Sequence, residues 1–360
     1  MKLQDIYGIA LKDTTWTIPQ NFDACFDWKY DDSRKAMMGL YQKGKEYQWD
    51  ATTRIDWSQE LDPENPQQLP EQTLPIWDMP LYQKMSAKEK ANIRLHAQAF
   101  GLSQFMQGEQ GALICTAKIV MQVPDMDSKF YASTQVIDEA RHVEAYKMLL
   151  EKFGVVYPMT KPLGELIDQT LRDSRWDVTY LGMQVVIEGL ALAAFQQMRD
   201  NAQNPLAAAV NAYVMQDEAR HVAFGRLSLR DYYPQLTEKE RGEREEFLID
   251  ACWHMRDRFD NRELWEALDL PVKDCMDHMF QSGAMTEFRS FLFTRIVPIV
   301  KDIGLWSPKV RDAYTKMGVI GFADTDVEAL QRQDEDIAKE FDARRKYVAD
   351  TIAAGKAAAE

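Results

Sequence analysis

Several features are scarce in this 360-residue sequence, and each scarcity removes a class of function. Positive charge is in deficit: 43 Lys and Arg stand against 57 Asp and Glu, a net charge of -14. Nucleic acid and anionic membranes both require a basic surface, so neither is expected as a partner. Cysteine is rare, with Cys25, Cys115, Cys252 and Cys275 scattered and no CxxC spacing among them. That pattern fits reduced thiols packed as small hydrophobes in a cytoplasmic protein. The opening residues, MKLQDIYGIALKDTTW, hold no signal-type apolar stretch. No run reaches the ~18 apolar residues of a membrane helix; the best, Val185–Phe195, contains Glu188. Strand signals are nearly absent as well.

What is present reads as helix. Residues 1–85 stand apart, with five of the nine tryptophans and six of the fourteen prolines. Proline breaks regular helices while tryptophan anchors irregular chain on a core, which predicts a wrapping segment with short helices. From Ser86 the periodicity becomes helical: Ser86 and Glu89 form a capping box, and Pro124 stops the first long helix. A second helix is expected over about 128–153 with Gly154 as its cap, after which a Pro- and Gly-containing connection leads to a third over about 173–202. Pro205 opens a fourth that ends before Pro234, and a fifth is expected over about 237–258. Shorter helices are expected at 263–268, 273–280, 285–303 and 327–354. The expected organisation is a wrapping segment (1–85), a four-helix bundle (86–235) and C-terminal helices packed on it (236–360).

The chemistry sits in a repeat. DEARHV occurs at Asp138–Val143 and again at Asp217–Val222, 79 residues on. Glu109 precedes Glu139 by 30 residues, and Glu188 precedes Glu218 by the same 30. Thus Glu109, Glu139 and His142 map onto Glu188, Glu218 and His221 by one shift, which internal duplication explains most simply. In E-x-x-H both side chains leave one helix face and can reach one ion. Glu109 and Glu188 each have apolar i±3 and i±4 neighbours, and an acid on such a face is costly unless paired or metal-bound. Four carboxylates and two imidazoles suit iron or manganese rather than a thiolate-rich zinc site. Asp138 and Asp217 are candidates to take the outer N–H of a liganding histidine, with Arg141 and Arg220 holding the aspartates; the alternative is an N-capping or surface role. A single ExxH is usually a solvated surface pair; two copies in register with upstream glutamates are not. His96, His254 and His278 lack a partner at ligand spacing and are read as structural.

These motifs resemble the di-iron carboxylate proteins: the hydroxylase subunit of bacterial multicomponent monooxygenases and, close behind, the ribonucleotide reductase small subunit. The doubled D-E-x-R-H, with a Glu in GEQGA and another in VIEGLA, carries the likeness over roughly residues 90–230. The resemblance implies a ferritin-like all-α four-helix bundle with additional helices. It implies two iron ions (the ligand set also accepts manganese), one on Glu109, Glu139 and His142 and the other on Glu188, Glu218 and His221. It further implies O2 as co-substrate, a small and mostly apolar organic substrate, and electrons from a reductase or ferredoxin-like partner. A homodimer would be unsurprising. Tyr146, one turn after His142, stands where ribonucleotide reductase small subunits carry a radical tyrosine, so it is a candidate catalytic residue and also a candidate packed aromatic. The chain ends in AAAGKAAAE, without the long docking tail of those subunits. Leu192 stands where many oxygenases place a threonine, and Val214 where arylamine N-oxygenases of this superfamily add a third histidine. The leading expectation is an O2-dependent di-iron oxygenase. A radical-generating small subunit and a non-catalytic iron-binding protein are the alternatives.

Overall fold

The computed structural model describes residues 5–11, 15–31, 33–257 and 259–357. Four long helices carry the repeat. They are α2 (Ala87–Gln122), α3 (Met126–Phe153), α5 (Trp176–Asn201) and α6 (Pro205–Tyr232). Their limits follow local chemistry. Ser86 Oγ accepts the Glu89 N–H at 3.3 Å while the Glu89 carboxylate accepts the Ser86 N–H at 2.8 Å, closing the capping box at the start of α2. Helix α3 begins under the Asp125 cap and ends at Gly154, whose φ of 74° is cheap only without a Cβ. Asn204 caps α6 with Pro205 in its first turn. Short connections after α2 and α5 fold each pair back on itself. Thus α2 packs along α3, α5 along α6, and α3 meets α6 in the middle.

Helix α5 is long and apolar enough to span a membrane by composition, although the expectation was that no stretch would qualify; 94% of the window is buried, so it is the core helix of the bundle. Its middle, Leu181–Ile187, is a π-helical turn that ends one residue before Glu188. Such turns shift the register of everything beyond them and are frequent at functional sites.

One helix of the bundle region was not expected, and the short helices expected in the wrapping segment include a well-packed one. The segment read as a connection contains α4 (Lys161–Arg172), because Pro162 lies in its first turn, where proline is tolerated. Leu163, Leu166, Ile167 and Leu171 form its buried face. Gly111 of α2 makes room for it: a Cβ there would meet Ile167 Cδ1 at 2.5 Å. Buried Lys118 of α2 donates to the Leu171 and Asp173 carbonyls at 2.8 and 2.6 Å, satisfying the orphan end of α4. Inside the wrapping segment, α1 (Lys35–Glu46) lies against α3 and α6. Arg34, at its entry, donates to Asp125, Ser128 and Asp231 and so ties the segment to the bundle.

Beyond the bundle run α7 (Glu238–Asp257), shorter helices and α8 (Val327–Ala357), which packs along α6. The expected helix over 285–303 is two, Gly283–Phe291 and Ile296–Asp302, and a further one spans Pro308–Lys316. Asp334 of α8 is buried between Arg199 and Arg295, at 3.3 and 2.9 Å. Asp342 pairs with Arg54 at 2.6 Å and accepts from Tyr213.

Candidate metal centre

The four helices bring all six residues of the repeat to one place. Glu109 comes from α2, Glu139 and His142 from α3, Glu188 from α5, and Glu218 and His221 from α6. All are buried, with at most 5% of any one exposed. Ligand atoms of Glu109, Glu139, His142 and Glu218 all lie within 4.8 Å of one another, and so do those of Glu139, Glu188, Glu218 and His221. The geometry refines the expected partition into two separate triads. Glu139 and Glu218, the acids of the two DEARHV copies, belong to both groups, whereas Glu109 and Glu188 belong to one each.

The histidines point the same way in each half. His142 Nδ1 lies 2.9 Å from Glu218 and 3.2 Å from Glu109. His221 Nδ1 lies 3.1 Å from Glu139 and 3.2 Å from Glu218. The outer nitrogens are held crosswise: His142 Nε2 donates to Asp217 at 3.1 Å and His221 Nε2 to Asp138 at 3.2 Å. Each aspartate therefore orients the histidine of the other repeat. A carboxylate on the far nitrogen fixes the tautomer and aims the near lone pair at the centre. Arg141 binds both Asp138 and Asp217, and Arg220 binds Asp217.

Three further residues complete this shell, and none was singled out from the sequence. Trp49 Nε1 donates to Asp217 at 2.8 Å, and Gln48 donates to Asp138 at 2.9 Å. Gln135 Nε2 donates to Glu139 and to Glu188, at 2.9 Å each. Gln135 lies one turn before Glu139, a spacing that could have drawn attention to it. The contacts of Gln48 and Trp49 join residues 90 and 168 apart, which no local pattern reveals. The repeat is asymmetric here: shifting Gln135 by 79 gives Val214, and shifting Tyr146 gives Gly225.

The electrostatics of the cluster follow from burying so many acids together. Burial, then the Glu218 charge, pushes the Glu109 carboxyl well above its usual range. Burial, then Glu218 and Glu139, does the same to Glu188. Burial also pushes Glu139 up, but the neighbouring His221 and His142 outweigh it and hold it low. Burial opposes charge on both histidines, yet the surrounding carboxylates raise each well above the ordinary value. Glu139 Oε2 and Glu188 Oε2 are buried with no hydrogen-bond donor. Two dications would balance the four glutamates, since Asp138 and Asp217 are already balanced by Arg141 and Arg220. Buried oxygen donors with idle lone pairs and two aimed imidazoles fit a pair of metal ions.

Tyr146 is fully buried beside this cluster, but its hydroxyl donates to Asn211 Oδ1 at 3.0 Å rather than to a glutamate. Its ring meets Phe105 and Phe195, with centroids 5.8 and 5.9 Å away. Of the other histidines, His96 contacts Tyr157, His278 pairs with Asp78 at 2.8 Å, and His254 is exposed. None lies in either donor group.

Solved structures share the architecture. A mutant R2-like ligand-binding oxidase with anaerobically reconstituted Mn/Fe cofactor matches with a TM-score of 0.52 at 17% identity, over 76% of this chain and 96% of that one. The dimanganese(II)-NrdF of Streptococcus sanguinis matches at 0.51 and 15% identity, over 84% of this chain and all of the other (100%). At such identities the likeness speaks for the ferritin-like fold. No curated protein matches the sequence significantly. The model of the P-aminobenzoate N-oxygenase AurF family, however, matches residues 31–304, a span that takes in α1, the whole bundle and every donor of both groups. The chain is therefore a member of the AurF family and, with it, a di-metal oxidoreductase.

Proposed function

We propose that the protein is an O2-dependent di-iron oxygenase acting on a small, mostly apolar organic molecule. The observation that carries this reading is the pair of four-donor groups sharing Glu139 and Glu218. Glu109, Glu139, His142 and Glu218 would hold one ion, and Glu139, Glu188, Glu218 and His221 the other, with manganese an acceptable substitute. Mixed Mn/Fe and dimanganese centres are named for the two structural neighbours. When bound and reduced, the ions supply the O2-activating redox chemistry. The protein's part is to fix the ions, through the crosswise aspartate–histidine pairs, and to keep the centre dry.

Val214 is buried and aliphatic at the place where the arylamine N-oxygenases add a third histidine. The proposal is therefore oxygen transfer to an apolar molecule rather than arylamine N-oxygenation. Two electrons per turnover would come from a reductase or ferredoxin-like partner. The exposed Ile114, Met121 and Ile137 on the outer faces of α2 and α3 are the apolar surface a homodimer would cover.

Anaerobic loading with Fe(II), metal counting and rapid mixing with O2 under optical detection test the reading. Two irons per chain and a transient absorption on mixing are expected. Failure to bind iron stoichiometrically would remove the oxygenase claim.

A further inference from the structure

A row of touching aromatic rings runs from the donor cluster to the surface. It begins at Tyr131, one turn before Gln135 and two before Glu139 on α3, on the face from which Gln135 reaches Glu139 and Glu188. Burial raises the Tyr131 phenol pKa, and the charges of His221, Arg220, Asp138 and Glu188 all reach it, so this ring lies at the cluster. Tyr131 packs on Phe224, one turn after His221 on α6, with centroids 4.4 Å apart. Phe224 meets Tyr180 at 5.0 Å, Tyr180 meets Trp176 at 5.4 Å, and Trp176 meets Tyr232 at 4.7 Å. Each spacing is that of rings in direct contact. Tyr131, Phe224 and Tyr180 are fully buried, whereas Trp176 and Tyr232 are partly exposed. The internal repeat does not account for the row: shifting Tyr131 by 79 gives Val210, and the counterpart of Phe224 is Ala145.

The members of the row differ in what they can hold. An oxidised phenol must release its proton, and the hydroxyls of Tyr131 and Tyr180 are buried with no acceptor. Phe224 has no polar group at all. These three rings can pass an electron along without keeping the positive charge it leaves behind. Trp176 can lose an electron and keep its N–H, and the partly exposed Tyr232 can give its proton to water. An oxidised state therefore comes to rest at the outer end of the row, where small molecules in solution reach it.

We propose that this row discharges the centre when O2 has been activated and no organic molecule is present to take the oxygen. An electron leaves the Trp176 indole, crosses Tyr180, Phe224 and Tyr131, and is consumed at the metal cluster. Tyr232 refills the indole and gives its phenolic proton to water. A small one-electron reductant of the ascorbate or thiol class then restores the phenol, which takes a proton back. Two such passages, with two protons drawn from solvent, return as water the oxygen atom that a substrate would have received. The oxidant in this scheme rests on the oxygenase reading; the row of rings does not.

The test uses the full chain loaded anaerobically with Fe(II) and given repeated O2 pulses with catalase but no organic substrate, followed by peptide mapping by mass spectrometry. Without a reductant, oxygen addition at Trp176 is expected to exceed that at Trp253 and Trp306, which are also partly exposed, by at least five-fold. Ascorbate should suppress this addition and be consumed as O2 is. Tyr180→Leu takes one ring out of the row and should lower both Trp176 oxidation and ascorbate consumption at least five-fold. Tyr180→Phe keeps the ring and deletes only an unpartnered hydroxyl, so it should fold and keep the parent pattern. Trp176→Phe, at a partly exposed position, is a second break in case Tyr180→Leu does not fold, and Tyr232 oxidation should fall at least five-fold in it. Equal oxidation of Trp176, Trp253 and Trp306, oxidation concentrated at Trp49, undiminished Trp176 oxidation in Tyr180→Leu, or undiminished Tyr232 oxidation in Trp176→Phe would each overturn the proposal. Bound iron that does not react with O2 would remove the oxygenase reading. Hydrogen peroxide added to the iron-loaded chain without catalase then supplies the oxidant: the same preference for Trp176 would uphold the row, and its absence would overturn it.

Discussion

Asp217 binds His142, which lies 75 residues away on α3, and not His221, which lies four residues on along its own helix. The duplicated DEARHV is thus a reciprocal device, with each copy supplying a glutamate that belongs to both donor groups, a histidine and the aspartate that orients the other copy's histidine. Removing one aspartate should disturb the ion on the opposite side.

Asp217→Asn keeps an acceptor for His142 but removes the charge that Arg141, Arg220 and Trp49 also use. Metal affinity at the His142 side is expected to fall ~10–100-fold, as for other groups that orient a liganding histidine. The fold should lose several kcal/mol, on the order of 3–5, because two buried guanidinium groups would share one remaining aspartate. Competition against a metallochromic chelator reads the first effect and denaturant unfolding the second. Unchanged affinity for both ions would remove the aspartate from the metal-holding role.

The sharing of Glu139 and Glu218 predicts a stoichiometric asymmetry. Glu139→Ala and Glu218→Ala each strip a donor from both groups, so the purified protein is expected to hold far less than one metal per chain. Glu109→Ala and Glu188→Ala each touch one group, and about one metal should remain. Metal analysis of the four variants distinguishes this from two independent triads, in which each variant would keep one ion.

The bundle was legible because its limits depend on nearest neighbours: Ser86 with Glu89, Pro124, Gly154 and Asn204 with Pro205 act within one turn. The gathering of Glu109, Glu139, His142, Glu188, Glu218 and His221 into one cluster was legible because the repeat places them at one common shift on apolar faces. Pro162 and Gly164 misled for a local reason as well: proline in a first helical turn looks like a break when the tertiary contacts are unseen. Glu139 and Glu218 as shared donors, the crossing of Asp138 and Asp217, and the contacts of Gln48 and Trp49 all arise from how α3 meets α6 and how residues 33–60 wrap over them. Spacing along one helix carries no information about these. The π-helical turn before Glu188 has no sequence signature in Leu181–Ile187, an ordinary apolar stretch.

His96 offers a pH test away from the metals. It is half-buried on α2, with Nδ1 2.6 Å from the Tyr157 oxygen, and burial holds its pKa below the ordinary 6.5. The unfolded chain therefore takes up this proton first. The contribution to stability is intact above pH ~6.5 and is lost as pH falls through the lower folded value. Melting temperatures from pH 7.5 down to 5 should drop less steeply in His96→Gln than in the parent. Parallel curves would show that burial of this imidazole carries no proton linkage.

Tyr146 decides between oxygen transfer and radical storage. A phenol that gives up an electron must also release its proton to a base within reach. The Tyr146 hydroxyl is committed to the Asn211 amide oxygen, a weak base, and Asn211 is itself tied to the Ala207 carbonyl at 2.9 Å. Burial, then the charges of Glu109 and Glu218, hold the phenol pKa well above its usual value, which opposes a phenolate. Tyr146→Phe is therefore expected to cost ~0.5–1.5 kcal/mol of stability, the net worth of one hydrogen bond. Iron content and substrate oxidation should stay within a few-fold of the parent (less than the ~10² typical of a lost proton-transfer group). Electron paramagnetic resonance of the O2-treated parent should show no persistent tyrosyl signal. Asn211→Leu is the companion variant: it takes away the acceptor while leaving the phenol, and it too should spare turnover. A loss of ~10² or more in Tyr146→Phe with iron fully retained would make the phenol a participant, and a tyrosyl signal that disappears in the same variant would identify it as the radical site.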